Sequence, residues 1–154
     1  MQDEPILLVE DDRVDAMTVK RAMHDLKIGN PVVHVINGEE ALTYLKDTAK
    51  PRPCLILLDV NMPRMNGIEL LQEVKTDNNL KTIPVVMLTT STNDRDIIRS
   101  FHLSAAGYMI KPVDYKQFVE TIRTIDAYWR LSRRAGVCSS PACGQAGSAV
   151  VSCA

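Results

Sequence analysis

The sequence predicts an α/β domain in which helices cover both faces of a parallel β-sheet. Short apolar runs alternate with longer amphipathic segments, and turn-forming residues separate the two. The apolar runs lie at residues 6–9, 32–36, 54–58, 85–89 and 106–110. The helical segments lie at residues 13–27, 39–47, 68–75, 94–103 and from 115 onward. The 154 residues amount to one domain, and this alternation is typical of a doubly wound fold.

The first half of the chain supplies three strands and two helices. The first strand, ILLV, runs directly into acids, and Asp12 is suited to cap the first helix. That helix carries its apolar side chains on one face: Ala16, Val19, Met23 and Leu26. Residues 29–31 break it before the strand VVHVI, and Asn37 with Gly38 turns the chain into the second helix. The segment KPRP then leads into the third strand, CLILL.

The second half repeats the pattern. A turn containing Gly67 follows the third strand, and the polar stretch TDNNLKT separates the third helix from the strand VVMLT. Asn93 can cap the fourth helix, which carries apolar residues at Ile97, Ile98 and Phe101. Asp114 and Gln117 give the last helix a start that resembles a capping box. Its apolar stripe consists of Phe118, Ile122, Ile125 and Trp129.

The chain divides into a domain at residues 1–134 and a tail at residues 135–154. The tail carries no charge and few large apolar side chains, so we expect it to be disordered or loosely docked. Three of the four cysteines lie there: Cys138, Cys143 and Cys153. Their spacing fits neither a redox motif nor a common zinc pair, and we expect neither a metal site nor a disulfide. Cys54 is expected to be a small buried residue.

Composition excludes several classes of function. A net charge of -1 argues against nucleic-acid binding through bulk positive charge. No apolar run approaches the roughly 18 residues of a membrane span. The acidic start, MQDEPILLVEDD, does not resemble a secretory signal. We therefore expect a cytoplasmic protein with no membrane or DNA partner.

The ends of the predicted strands carry the chemistry. In a parallel sheet the functional crevice lies beyond the carboxyl ends of the strands. Glu10 and Asp11 follow the first strand, Asp59 the third, Thr89 ends the fourth, and Lys111 follows the fifth. Three crowded carboxylates repel one another, and a divalent cation would relieve that repulsion. Ligation by carboxylate oxygens alone suits Mg²⁺ or Mn²⁺.

These residues are suited to phosphoryl transfer. An aspartate can act as a nucleophile toward phosphorus and form an aspartyl phosphate, which is the role predicted for Asp59. Lys111 can pair with a phosphoryl oxygen as a point charge, and Thr89 can donate a hydrogen bond to another. Asp12 is better explained as a helix cap than as a metal ligand. The three histidines, His24, His34 and His102, form no catalytic or metal-binding cluster in this pattern.

Over residues 5–130 the chain resembles the receiver domain of two-component response regulators. The resemblance rests on four motifs in order: VEDD, DVNMPRMNG, VVMLTTS and AAGYMIKP. It implies a flavodoxin-like fold with strand order 2-1-3-4-5 and phosphorylation of Asp59. It also implies that the backbone carbonyl of Asn61 is a metal ligand and that Thr89 and Tyr108 form a switch. A cis peptide bond is expected between Lys111 and Pro112.

The same resemblance implies the partners. A sensor histidine kinase would donate the phosphoryl group from a phosphohistidine, and the face of the fourth helix, fifth strand and fifth helix would change in response. The polar TDNNLKTIPVV segment, LTTS and the Tyr128-Trp129 pair resemble small stand-alone regulators that are paired with phytochromes and form dimers. The signal would then leave through a downstream protein contact or a further phosphotransfer.

Three alternative functions require residues or outputs that differ from those of a phosphorylated receiver. A phosphatase of the haloacid dehalogenase type needs a second acid two residues after its nucleophile, but position 61 is asparagine. A flavin-binding module would cradle a phosphate after the first strand, where EDDRVD would repel it. A receiver whose output needs no phosphorylation stays open.

Overall fold

The structure is a computed structural model, which describes the backbone of residues 4–136 and the side chains of residues 4–128. Its strands are β1 (Ile6–Val9), β2 (Val32–Val35), β3 (Leu55–Leu58), β4 (Val85–Thr89) and β5 (Gly107–Ile110). Its helices are α1 (Arg13–Asp25), α2 (Gly38–Lys46), α3 (Gly67–Thr76), α4 (Asp94–His102) and α5 (Tyr115–Gly136). The predicted tail lies outside the described residues from residue 137 onward.

The five strands form one parallel sheet in the order β2-β1-β3-β4-β5. Side chains on a strand alternate between its two faces, and this alternation divides the core into two layers. One layer joins Leu7 and Ile56 to α2 and α3, and the other joins Leu8 and Leu57 to α1 and α5. β1 and β3 are buried along their whole length because helices cover both faces, whereas β5 lies at an edge.

Short polar side chains start the helices at the predicted positions. The Asp12 carboxylate accepts hydrogen bonds from the backbone N–H groups of Val14 and Asp15, so the capping prediction is confirmed. Asn93 caps α4 in the same way, and the Asp114 carboxylate accepts from the Gln117 N–H at the start of α5. These contacts satisfy N–H groups that have no partner within the helix.

One expectation that came from the family resemblance, the cis peptide bond, is wrong. The described residues contain no cis peptide bond, so the bond between Lys111 and Pro112 is trans. The trans preference before proline is only about 0.5–1 kcal/mol, and the expectation came from resemblance rather than from local residues. α4 carries the predicted apolar residues, and of these Ile98 and Phe101 are exposed.

Candidate metal and phosphoryl site

Three carboxylates meet at the carboxyl edge of the two central strands. β1 and β3 pair with Val9 opposite Leu58, so the residues that follow them, Glu10 and Asp59, lie side by side. One oxygen each from Glu10, Asp11 and Asp59 lies within 4.8 Å of the others. Glu10 and Asp59 are buried, while Asp11 is exposed. The sheet register thus brings together the acids that the sequence analysis selected.

Lys111 reaches this cluster from the edge of the sheet. The residue directly follows β5, where its backbone N–H donates to the Thr89 carbonyl at 2.8 Å. Its buried side-chain ammonium donates to Glu10 Oε2, to Asp15 Oδ2 at 3.0 Å and to Asp59 Oδ2 at 3.4 Å. An ammonium has three N–H donors, and each one here has a different carboxylate as its acceptor.

Burial and nearby charges shift the pKa values of both Glu10 and Lys111. Burial raises the pKa of Glu10 to about 7, and the charge of Asp59 adds to that rise, although the hydrogen bond from Lys111 opposes it. Burial alone would lower the pKa of Lys111. The hydrogen bond to Glu10 and the charge of Asp59 outweigh burial, so the pKa of Lys111 is raised and the ammonium is retained.

The acidic cluster has the chemistry of a divalent-cation site. Its ligand atoms are carboxylate oxygens, which hard cations prefer. The burial that raises the pKa of Glu10 disfavours its ionised form, and the positive charge of a bound cation would stabilise that form. The backbone N–H of Asn61 donates to Asp59 Oδ1 at 3.2 Å, so the following loop turns back over the acceptor. The donor set therefore suits Mg²⁺ or Mn²⁺ better than a metal that favours sulfur or nitrogen.

The backbone around Asp59 is held by a close approach of α3. Gly67 donates its N–H to the Val60 carbonyl at 3.0 Å. A Cβ atom at Gly67 would lie 2.8 Å from the Asp59 carbonyl carbon and 2.9 Å from Val60 Cα, and closer still to the Asp59 oxygen. Only glycine leaves room for this packing, which sets where the loop after Asp59 turns.

The two predicted switch residues meet at one loop residue. Thr89 is fully buried, and its hydroxyl oxygen accepts from the Ser91 N–H at 3.2 Å. The Tyr108 hydroxyl donates to the Ser91 carbonyl at 2.9 Å. The Ser91 hydroxyl in turn donates to Asp96 on α4 at 2.7 Å. Ser91 therefore connects Thr89, Tyr108 and the start of α4.

Sequence reasoning missed two contacts of the acidic cluster. Asp15 binds Lys111, and its signal was a carboxylate in the first turn of the helix that follows the acids. His34 Nε2 donates to the Glu10 carbonyl at 2.7 Å from the neighbouring strand β2, which no pattern in the sequence indicated. His24 and His102 are exposed, as expected of surface residues.

Among the described helices, none has the length and apolar character required to cross a membrane.

The fold and this site together define a signalling domain that accepts a phosphoryl group. Residues 6–123 match the family model described as the response regulator receiver domain. The chain belongs to this family, the phosphorylation-accepting domains of two-component systems. The predicted family, fold class and strand order are thereby confirmed.

Two relatives match this chain over most of their own length. The response regulator Rcp1 of Synechocystis sp. is 37% identical over 128 residues, which cover 80% of this chain and 87% of Rcp1. The probable methanogenesis regulatory protein FilR2 of Methanothrix harundinacea is 36% identical over 127 residues, which cover 80% of this chain and 82% of FilR2.

Solved structures agree with the sequence relatives. The phosphorylated cyanobacterial phytochrome response regulator RcpA superimposes with a TM-score of 0.77 at 38% identity, covering 82% of this chain and 94% of RcpA. The Mn²⁺-bound form of Rcp1 gives 0.76 at 36% identity with the same coverage of 82% and 94%.

Proposed function

We propose that Asp59 accepts a phosphoryl group from a phosphohistidine of a sensor kinase. The bond between phosphorus and the imidazole nitrogen breaks as a bond forms between phosphorus and an Asp59 oxygen, and the departing imidazole takes up a proton. The observation that carries this proposal is the meeting of the Glu10 and Asp11 carboxylates and the Lys111 ammonium around Asp59. Catalysis of phosphoryl transfer depends mostly on positioning the reactants and stabilising their charge, and these groups can supply both.

The residues have distinct roles in this proposal. Glu10, Asp11, Asp59 and the backbone carbonyl of Asn61 would hold Mg²⁺, and the Mn²⁺-bound form of Rcp1 supports a divalent cation in this family. When bound, the cation supplies positive charge to the phosphoryl oxygens. Lys111 pairs with a phosphoryl oxygen. The receiver thus promotes its own phosphorylation and dephosphorylation without being an enzyme for a separate substrate.

Replacement of the acceptor tests this assignment. Asp59→Asn should abolish Mg²⁺-dependent labelling by acetyl phosphate, measured by intact-protein mass, because an amide oxygen does not form the acyl phosphate. Asp94→Asn, which changes an exposed acid in the first turn of α4, is the matched control and should be labelled like the unmodified protein. Labelling of Asp59→Asn at the normal rate would refute the acceptor role.

The response is proposed to pass through Thr89 and Tyr108. Thr89 would move its hydroxyl toward the new phosphoryl group and leave the Ser91 N–H, and Tyr108 would follow the same loop. Because Ser91 also binds Asp96, the loop can pass this change to the start of α4. Lys111→Ala should preserve the fold but uncouple phosphorylation from partner binding.

The output surface is proposed to be the face formed by α4, β5 and α5. Its exposed apolar side chains are Ile98, Phe101, Ile110, Val113 and Tyr128. Exposed large apolar side chains are typical of a protein contact, and we propose a homodimer or a downstream protein as the occupant. The likeness to RcpA supports a phytochrome as the upstream kinase.

A pair of equally exposed residues tests this surface. Ile98 on α4 is 67% exposed, and Met17 on α1 is 69% exposed but lies on another face. In sedimentation with Mg²⁺ and beryllofluoride, Ile98→Ser should weaken dimerisation about five-fold or more, and Met17→Ser should change it less than two-fold. Equal effects of the two substitutions would exclude the α4–β5–α5 face as the dimer contact.

A further inference from the structure

Asp15 differs from the other two carboxylates that bind Lys111. The side chains of Glu10 and Asp59 are 2% and 9% exposed, whereas the Asp15 side chain is 40% exposed. Asp15 lies in the first turn of α1. The acids that approach one another closely enough to share a cation are Glu10, Asp11 and Asp59, and Asp15 is not in that group. Its described side-chain contact is with the Lys111 ammonium.

The ammonium is closer to Asp15 than to the acceptor. Lys111 Nζ lies 3.0 Å from Asp15 Oδ2 and 3.4 Å from Asp59 Oδ2. All three N–H donors of Lys111 are already committed to carboxylates, so a phosphoryl oxygen can gain one only if a present acceptor gives it up. Glu10 is buried, and losing its partner would leave a buried acid without a counter-charge. Asp59 is the residue that carries the phosphoryl group, and of the other two acceptors Asp15 can be solvated by water, so it is released at the lower cost.

We propose that Asp15 is a positioning residue that, in the unphosphorylated protein, holds the Lys111 ammonium away from the place that a phosphoryl group on Asp59 would occupy. This inference rests on the proposed phosphorylation of Asp59. When the phosphoryl group is attached, its oxygens compete for the ammonium, and Lys111 exchanges Asp15 for one of them. Asp15 therefore sets how readily the site accepts and keeps a phosphoryl group, although it touches neither the phosphoryl group nor the cation.

The isosteric substitution Asp15→Asn gives a prediction with a definite sign. It removes the competing charge, so beryllofluoride should bind about five-fold more tightly at saturating Mg²⁺, the factor expected for a partly exposed ion pair worth about 1 kcal/mol. The affinity for Mg²⁺ alone should not rise, because a nearby negative charge is lost. A purely structural role for Asp15 would instead weaken both affinities. Isothermal titration calorimetry with each ligand separates these results.

Asp12→Asn is the matched control for this experiment. Asparagine caps helices as well as aspartate does, so the substitution removes one charge from the start of α1 and keeps the cap. The Asp12 side chain accepts from Val14 and Asp15 N–H groups and makes no described contact with Lys111. Its beryllofluoride affinity should change less than two-fold, and Asp15→Glu, which restores a carboxylate, should return toward the unmodified value.

The outcomes distinguish this inference from the function on which it rests. If the unmodified protein does not bind beryllofluoride in the presence of Mg²⁺, the proposed phosphorylation itself fails. If the unmodified protein binds but Asp15→Asn binds equally or more weakly, the positioning role is wrong. An equal gain from Asp12→Asn would also overturn it, because the effect would then come from general charge near α1.

Discussion

Replacing Gly67 by alanine tests how the backbone positions Asp59. The new Cβ would lie 2.8 Å from the Asp59 carbonyl carbon and 2.9 Å from Val60 Cα, whereas non-bonded carbon atoms prefer about 3.5–4.0 Å. The obstacle is backbone, so no side-chain rotation relieves it. The Asp59 carbonyl oxygen would lie closer still, so either α3 or the loop after Asp59 must move by about 1 Å to restore ordinary contacts.

The size of the effect follows from these contacts. Overpacking in a dense region costs about 1–3 kcal/mol, and weakening the Gly67 N–H bond to the Val60 carbonyl adds about 1 kcal/mol. We expect Gly67→Ala to lower the free energy of unfolding by about 2–4 kcal/mol. A displacement approaching 1 Å at a reacting group can cost about a hundred-fold in rate, so labelling of Asp59 should fall more than stability alone explains.

Two other glycines provide a graded comparison. A Cβ at Gly38 would lie 2.8 Å from the flexible Met65 thioether, which can move, and one at Gly107 would lie 3.8 Å from Val86, an ordinary contact. Urea unfolding and acetyl phosphate labelling should therefore rank Gly107→Ala as nearly neutral, Gly38→Ala as intermediate and Gly67→Ala as severe. If Gly67→Ala matched Gly107→Ala in both assays, the steric argument would be wrong.

A backbone angle at Arg64, the hydrogen bonds of Lys75 and the pKa of Glu10 each give a further prediction. Arg64 has a φ of 66°, so Arg64→Gly should raise the free energy of unfolding by about 0.5–1 kcal/mol in urea, whereas Arg64→Ala should bring no such gain. Lys75 Nζ donates to the carbonyls of Lys81 at 3.0 Å and Ile83 at 2.9 Å. Lys75→Met removes both hydrogen bonds and should lower the free energy of unfolding by about 2 kcal/mol. The control Lys81→Met changes an exposed side chain and should lower it by less than about 0.5 kcal/mol. Because burial raises the pKa of Glu10 to about 7, protons should compete with Mg²⁺ below that pH and ionisation should be complete above it. Calorimetry should show Mg²⁺ affinity falling by up to about ten-fold per pH unit below pH 7, and a flat profile from pH 5.5 to 8 would contradict the shift.

The sequence was sufficient to predict the fold because its pattern was clear at every strand. Each apolar run became a strand, with boundaries that moved by one residue at most, and the acids fell at adjacent strand ends. The strand order required family resemblance, because apolar alternation alone does not define which strands are neighbours. The first helix ends at Asp25 rather than at residue 27, since Lys27 takes a left-handed conformation with a φ of 56°.

The contacts that were missed depend on three-dimensional reach rather than on pattern. Asp15 lies on a helix, and only the path of the long Lys111 side chain shows that the two meet. His34 contacts a backbone carbonyl of a neighbouring strand, and the register that permits this contact cannot be read from either strand alone. The exposure of Ile98 was also hidden, because an apolar residue on a helix can face either the core or a partner.

The division of the site between central and edge strands explains how one chemical event could reach the surface. The acids follow β1 and β3, whose residues are all buried, so packing on both faces of the sheet holds the backbone that leads to the acceptor. Lys111 instead follows β5, and its neighbours Ile110 and Val113 are exposed on the proposed output face. A change in the carboxylate that binds the ammonium therefore acts directly on the strand end that carries these apolar side chains. Lys111 is therefore the charge partner of Asp59, and its backbone is also continuous with β5 on the α4–β5–α5 face. For this reason Lys111→Ala should separate phosphorylation from partner binding while the fold and the acceptor are retained.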